Sequence, residues 1–368
     1  YEVQHKLNDE LSEEQASKDY QMGDTAIASD GTIYFTTVQG FLYALTPQGQ
    51  LKWVVGGRNT REDACLGPKI GNNGTIYVPN SVCGTNHTGM KAFNPNGSLK
   101  WESEDAFLET MAIGTDGTLY GTYAGRYLLA ADPNNGKLKW QWECPMDPTD
   151  PGHKLNLNCF GENSSPNVGK DGTLYVPNMR GNLYAFSPNG QLKWTFKTQN
   201  MKSSYPTLDK NGTIYIGDHW TSAPTYDAFI YALSPEGKLK WKYEEILPQY
   251  HEDPPVRAWT SPPTFMPDGT LVLGIARCGA GNCPHPSLYA IKEGKFLWKT
   301  KTGYDIEATP AVDKNGTVYA GSGSLLWVFD KTGKRLWRFK SHYFISHSPV
   351  LMQDGTLYVV SDKFYALK

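Results

Sequence analysis

One short signature, [Asp/Asn]-Gly-Thr-aliphatic-Tyr, recurs along the whole chain, and a chain built from copies of one unit has few folds open to it. There are eight copies: Asp30–Tyr34, Asn73–Tyr77, Asp116–Tyr120, Asp171–Tyr175, Asn211–Tyr215, Asp268–Val272, Asn315–Tyr319 and Asp354–Tyr358. Only the sixth lacks its aromatic residue. After each signature comes a second apolar run, such as Leu42-Tyr-Ala-Leu45 or Leu183-Tyr-Ala-Phe186, and then a Gly-bearing turn. A third run ends on Trp53, Trp101, Trp140, Trp194, Trp241, Trp298 or Trp337, and a short run such as Tyr205-Pro-Thr-Leu208 or Thr309-Pro-Ala-Val312 precedes the signature. Each unit therefore reads as four strands.

Turn chemistry orders those strands. Asp-Gly and Asn-Gly tolerate positive φ and are expected to close two-residue hairpins between the first and second strands. Pro-x-Gly turns such as Asn94-Pro-Asn-Gly97 and Ser187-Pro-Asn-Gly190 join the third and fourth. A four-stranded meander cannot shelter both of its faces alone, and a closed ring of such sheets leaves only short protected edges. The expected fold is thus all-β, an eight-bladed β-propeller of four-stranded antiparallel blades, forming a single domain over residues 20–368. The repeated Tyr and Trp are read as packing between blades. The last copy stops after its third strand, at Phe364-Tyr-Ala-Leu367-Lys368, so residues 1–19 are assigned the closing role. In that reading Tyr1–Lys6 supplies the missing outer strand, followed by a surface helix or loop over Asn8–Lys18.

Composition narrows the function. Thirty-five Lys and Arg stand against 37 Asp and Glu, without a basic tract, so nucleic acid is not an expected partner. No stretch reaches the roughly 18 consecutive apolar residues of a membrane-spanning helix. The chain opens on Tyr1 instead of Met, as a precursor relieved of a signal peptide would. Six cysteines fall into three local couples, Cys65 with Cys83, Cys144 with Cys159 and Cys278 with Cys283, which suggests disulfide staples and an extracytoplasmic, secreted protein. Sequons at Asn86 and Asn163 agree with that compartment.

The strands ending in Leu-Tyr-Ala-Leu, the Pro-x-Gly turn and the Leu-Lys-Trp run resemble the pyrroloquinoline-quinone (PQQ) repeat of the quinoprotein alcohol dehydrogenase-like propellers, over essentially the whole of residues 20–368. That superfamily includes quinone-dependent dehydrogenases and non-enzymatic members, among them the propeller lipoprotein of the outer-membrane β-barrel assembly machinery. The dehydrogenases imply PQQ with Ca2+ as cofactor, typically covered by a ring of two adjacent cysteines. This sequence has no Cys-Cys pair, no Cys-x-x-Cys-His haem motif and no Glu, Asn and Asp calcium set that can be matched position by position, so the expectation is no cofactor and no metal site, with PQQ and Ca2+ as the alternative.

In a propeller the residues entering each innermost strand ring the mouth of the central channel. Aligning the repeats places Asp24, Glu109, Asn163, Tyr205, Arg257, Trp259, Glu307 and His347 at that rim as candidate ligand-binding residues. Such a mixture suits a sugar or polyol, and a carboxylate with a histidine could act as acid and base; a polar rim also serves merely to line a channel holding water. Longer insertions at Met146–Asn158, Asp218–Asp227, Glu244–Val256 and Arg277–Ser287 form a second candidate surface, each with one histidine. The leading expectation is a non-enzymatic binding or assembly module for a protein or glycan. The alternatives are a rim-sited enzyme, either a PQQ-dependent sugar or alcohol dehydrogenase or a carbohydrate-active lyase or hydrolase, and a structural matrix or filament protein that self-associates.

Overall fold

The computed structural model describes residues 22–37, 40–56, 67–79, 89–105, 110–123, 125–145, 159–160, 164–198, 205–217, 228–246, 257–278, 286–345, 347–352, 354–361 and 364–368. It shows an all-β chain of the eight-bladed β-propeller class, with eight antiparallel sheets in chain order and no helix among the described residues. The first blade is typical. Met22–Ile27, Ile33–Thr37, Phe41–Leu45 and Leu51–Gly56 pair in sequence as a meander. By contacts the chain divides into two compact units, one of Tyr1–Gly172, Pro188–Gly190 and Asp362–Leu367, the other of Thr173–Ser187, Gln191–Ser361 and Lys368.

The middle strands are buried because they are covered on both faces. Phe41–Leu45, Asn182–Phe186 and Ala228–Leu233 carry almost unbroken buried runs, whereas outer strands such as Leu192–Lys197 alternate exposed and half-buried positions. Core clusters lie between consecutive blades. Tyr34, Leu42 and Ala44 of the first pack with Ile76 and Phe93 of the second, and Leu271, Leu273 and Tyr289 of the sixth pack with Ala228 and Ile230 of the fifth.

The repeated aromatics perform the interblade task assigned to them. Within a blade the signature Tyr leans on the outer-strand Trp, with ring centroids 5.6 Å apart for Tyr34 and Trp53 and 5.8 Å for Tyr175 and Trp194. The indole Nε1 then donates to the turn of the next blade: Trp53 to Pro95 O, Trp101 to Pro133 O, Trp140 to Pro188 O, Trp194 to Pro235 O and Trp298 to Lys331 O, all within 2.9–3.1 Å. Tyr77 and Tyr120 send their hydroxyls to the same Pro133 and Pro188 carbonyls. One turn thus receives both aromatics.

Two details differ from expectation. The Asx-Gly turns are not two-residue hairpins, because only the glycine has positive φ, as at Gly31 (81°) and Gly212 (78°). The loop is longer: Gly31 N donates to Ala28 O, Ala28 N to Thr32 O, and the Asp30 carboxylate accepts from the Thr32 amide and hydroxyl. The carboxylate stabilises this longer loop, in which Gly31 alone takes the left-handed region, and those hydrogen bonds hold Asp30 below its ordinary range. A true two-residue turn occurs at Glu293-Gly294, where both φ angles are positive, between the paired Lys292 and Lys295. The sixth sheet also has five strands instead of four, since Arg257–Thr260 and Thr264–Phe265 both pair with the long strand Leu271–Cys278.

The eighth sheet contains Val350–Leu351, Leu357–Val360 and Phe364–Leu367. Residues 1–19 lie outside the described residues, and with them the closing strand and the Asn8–Lys18 segment. That Tyr1–Lys6 completes this blade remains our proposal, supported by the third strand: Tyr365, Ala366 and Leu367 are half-buried where the matching Tyr184, Ala185 and Phe186 of the fourth blade are buried. Deleting residues 1–6 is then expected to lower the thermal midpoint, and a peptide of those six residues added in trans to restore part of it. An unchanged midpoint would refute the assignment.

Candidate functional site

The strand that leaves each blade and the strand that enters the next are joined by connecting loops, and two of these carry a second repeat hidden inside the first. Thr302, Tyr304 and Ile306 follow the sixth blade, and Ser341, Tyr343 and Ile345 follow the seventh. In both loops the isoleucine is buried and seats on a glycine of the preceding sheet. A Cβ at Gly274 would lie 2.6 Å from Ile306 Cβ, and one at Gly321 would lie 2.7 Å from Ile345 Cγ2, so neither position has room for a side chain. In both, the tyrosine carbonyl is clamped by two hydroxyls. Thr302 Oγ1 and Ser322 Oγ donate to Tyr304 O at 2.8 and 2.5 Å, and Ser341 Oγ and Ser361 Oγ donate to Tyr343 O at 2.6 and 2.8 Å.

With the backbone fixed inward, the rings face out. Tyr304, Tyr343 and Phe344 are 54%, 68% and 64% exposed, and the Tyr304 and Phe344 rings meet edge to face with centroids 6.0 Å apart. Large aromatic side chains held outward by a rigid backbone lose little further freedom when they are covered, which suits a binding surface.

The sequence-derived rim residues are placed as follows. Asp24 lies on Met22–Ile27, and Arg257 and Trp259 on Arg257–Thr260, opposite Cys278 and Ala276. Tyr205 is half-buried just before Thr207–Leu208. Glu307 and His347 precede the innermost strands of the seventh and eighth blades, and Thr309 N donates to Ser348 Oγ at 3.1 Å, joining those two strand entrances. Glu307 is exposed as a residue, yet partial desolvation of its carboxyl raises it above the ordinary glutamate range, with Asp305 adding like-charge repulsion. Glu109 and Asn163 lie outside the described residues, as does most of each insertion.

One of the three cysteine couples is observed. Cys144 and Cys159 are disulfide-bonded with Cα atoms 6.2 Å apart, both buried. Cys144 N donates to Arg126 O and Phe160 N to Gly125 O, so both ends of the bridge rest on one turn of the third blade. Cys278 ends its strand, while Cys65, Cys83 and Cys283 lie outside the described residues.

Among the described residues no three His, Cys, Asp or Glu side chains gather as a metal-binding group, and the sequence offers no adjacent cysteines to cover a quinone.

The aromatic loops are not legible from the main repeat, because their pattern occurs in two copies beside a signature that occurs in eight. The signal was present in the spacing: Thr302, Tyr304, Ile306 and Ser322 each recur as Ser341, Tyr343, Ile345 and Ser361 at one common offset.

With blades, turns and loops established, sequence comparison decides the kinship. The family model described as outer membrane protein assembly factor BamB, a PQQ-repeat model, matches residues 127–277 and 227–368, together more than half of the chain. This chain belongs to that PQQ-repeat family. No curated protein matches it. Among solved structures, BamB from Moraxella catarrhalis is similar with a TM-score of 0.64 at 14% identity, covering 93% of this chain and 91% of that one. A europium-containing methanol dehydrogenase has a TM-score of 0.64 at 15% identity, covering 91% and 81%. The computationally designed Ika8 protein also reaches 0.64 at 13% identity, covering 94% and 96%. These likenesses establish the fold and nothing of the chemistry.

Proposed function

We propose that this PQQ-repeat propeller is a non-enzymatic, extracytoplasmic module that binds a protein partner in outer membrane protein assembly. The observation that carries the reading is the aromatic ridge of Tyr304, Tyr343 and Phe344, exposed on loops whose carbonyls are clamped by four hydroxyls. The family description supplies the context of assembly, and the Cys144–Cys159 bridge agrees with an oxidising compartment. Glycan binding and self-association have no comparable support.

A photo-crosslinking residue placed at Phe344 in cells is expected to trap one discrete partner protein, while the same residue at Leu99, an exposed outer-strand position, traps none. The double variant Tyr343→Ala with Phe344→Ala should keep the thermal midpoint and weaken capture roughly 30-fold, as removal of about 2 kcal/mol of aromatic contact would do. Equal crosslinking from both sites, or undiminished capture by the double variant, would overturn the proposal.

A rim-sited enzyme is the second reading, favoured by the raised carboxyl of Glu307 beside Asp305. It requires turnover: protein supplied with PQQ and Ca2+ and a dye acceptor would have to oxidise alcohols or sugars in a manner lost in Glu307→Gln. The expected result is no dye reduction.

A further inference from the structure

Five blades share a clasp that the sixth and seventh abandon. In Leu-Lys-Trp the lysine reaches back to the threonine of its own blade's signature: Lys52 to Thr32, Lys100 to Thr75, Lys139 to Thr118, Lys193 to Thr173 and Lys240 to Thr213, with Nζ to Oγ1 distances of 2.7–3.0 Å. At the same place before Trp298 and Trp337 stand Leu297 and Leu336, which are 48% and 52% exposed. Phe296, beside the first, is 47% exposed. Both blades lose the clasp; in the sixth the leucine adds to an exposed apolar neighbour, Phe296 standing where Leu99 or Leu239 stands, and in the seventh cation and leucine exchange places, Arg335 taking that position. Packing gives no reason for it.

The cations of these two blades stand elsewhere. Between Lys292 and Lys340 there are ten Lys and Arg and five Asp and Glu, in a chain whose totals are 35 and 37. The outer strands Lys295–Lys301 and Arg335–Lys340 belong to consecutive blades and are joined, since Thr300 Oγ1 donates to Gly333 O at 2.7 Å and the Arg335 guanidinium donates to Lys301 O. Two guanidiniums flank one indole: Arg335 Cζ lies 4.4 Å and Arg338 Cζ 5.3 Å from the Trp327 ring, and that ring is anchored by Nε1 donating to Thr302 O at 2.9 Å. Among the described residues no carboxylate pairs with Lys301, Arg335 or Arg338. Cations without counter-charges, interleaved with exposed leucine and phenylalanine on rigid strands, match a surface that offers anions beside an apolar layer.

We propose that the outer strands of the sixth and seventh blades dock this protein on the headgroup region of an anionic phospholipid bilayer, with Arg335, Arg338 and Lys301 on phosphates and Phe296, Leu297 and Leu336 entering the interface. A soluble acidic protein would engage the cations equally but would leave the three apolar side chains without a function.

The experiment is flotation of the full chain with unilamellar vesicles of phosphatidylcholine alone or with one-third phosphatidylglycerol, at low salt. Wild type is expected to float with the anionic vesicles and remain behind with the neutral ones. Each cation at such a surface contributes about fivefold to the partition coefficient, so Arg335→Gln with Arg338→Gln should reduce it by roughly 20-fold. Leu297→Lys with Leu336→Lys rebuilds the clasp on Thr270 and Thr317, should keep the thermal midpoint, and is expected to weaken vesicle binding although it adds two positive charges. Tighter binding by that variant would overturn the proposal, because a purely electrostatic surface behaves so. So would equal flotation with both vesicle types, or loss of flotation when soluble polyglutamate is supplied at the same charge concentration, which would assign the patch to an acidic protein.

Discussion

Replacing Gly237 by alanine is expected to destabilise the protein by about 3 kcal/mol, and replacing Gly269 by alanine by only about 1 kcal/mol. Both glycines occupy the left-handed region, at φ +79° and +83°, so both variants bear the conformational penalty of an L side chain there. They differ in what the new methyl meets. Around Gly269 nothing lies within 4 Å, whereas at Gly237 the Cβ would sit 2.6 Å from Cδ2 and 2.8 Å from Cε3 of Trp194. The indole cannot step aside easily, because its Nε1 is tied to Pro235 O at 2.9 Å in the same turn that carries Gly237. The methyl therefore forces the two blades apart or breaks the hydrogen bond. The same contact recurs between Gly97 and Trp53, Gly190 and Trp140, and Gly333 and Trp298. Urea unfolding of the two variants measures the difference; equal shifts of the midpoint would show that the Trp seat does not hold the blades together.

This seat explains why the fold was so legible. The Pro-x-Gly turn, the tryptophan before it and the signature tyrosine are three parts of one joint, and a joint that must be made at each step along the chain leaves a periodic trace. The parts that escaped notice are those whose function is not periodic in sequence. The lysine clasp was hidden because a lysine beside a tryptophan on an exposed strand reads as a solvated charge, and only coordinates show Lys52 reaching Thr32. The fifth strand of the sixth blade was hidden because Arg257–Thr260 resembles the end of an insertion and becomes a strand only through the unusual length of Leu271–Cys278. The expected two-residue hairpins failed for a physical reason: an aspartate that accepts hydrogen bonds from a threonine two residues on remains at negative φ.

Candidate function was less legible because its residues break the repeat instead of making it. Leu297 and Leu336 are visible as substitutions for lysine only once the lysine's purpose is known. Tyr304 and Tyr343 are visible as a pair only once their carbonyls are seen to be clamped. Alignment of the repeats points to Glu307, which sits at a strand entrance with a raised carboxyl, but nothing in its spacing distinguishes an acid with chemistry to do from one that borders solvent.

The same joints make alkaline pH the condition under which the protein should fail. The signature tyrosines Tyr34, Tyr77, Tyr120, Tyr319 and Tyr358 all have hydroxyls raised above the ordinary range, chiefly by burial. Tyr215 is pushed up to about 12, first by burial and then by the Asp209 carboxylate, which accepts its hydroxyl at 3.1 Å. Burial also raises Tyr243 and Tyr289, and both hydroxyls donate to Glu245, which accepts Lys299 Nζ as well at 3.0 Å. In the unfolded chain each of these groups ionises near pH 10, while the folded chain keeps its protons. Above pH 10 the folded state therefore binds more protons than the unfolded one, and stability falls as pH rises. Their contribution is fully present below pH 10 and is lost through the folded values, which for Tyr215 means by about pH 12. Urea midpoints should stay level as far as the tyrosines are concerned between pH 7 and 9, then drop steeply. Tyr215→Phe should be less stable than wild type at pH 8, where the bond to Asp209 is intact, and the gap should close by pH 12. A wild-type midpoint that holds through pH 12, or a gap that does not narrow, would mean that folding does not hold these hydroxyls in their protonated form.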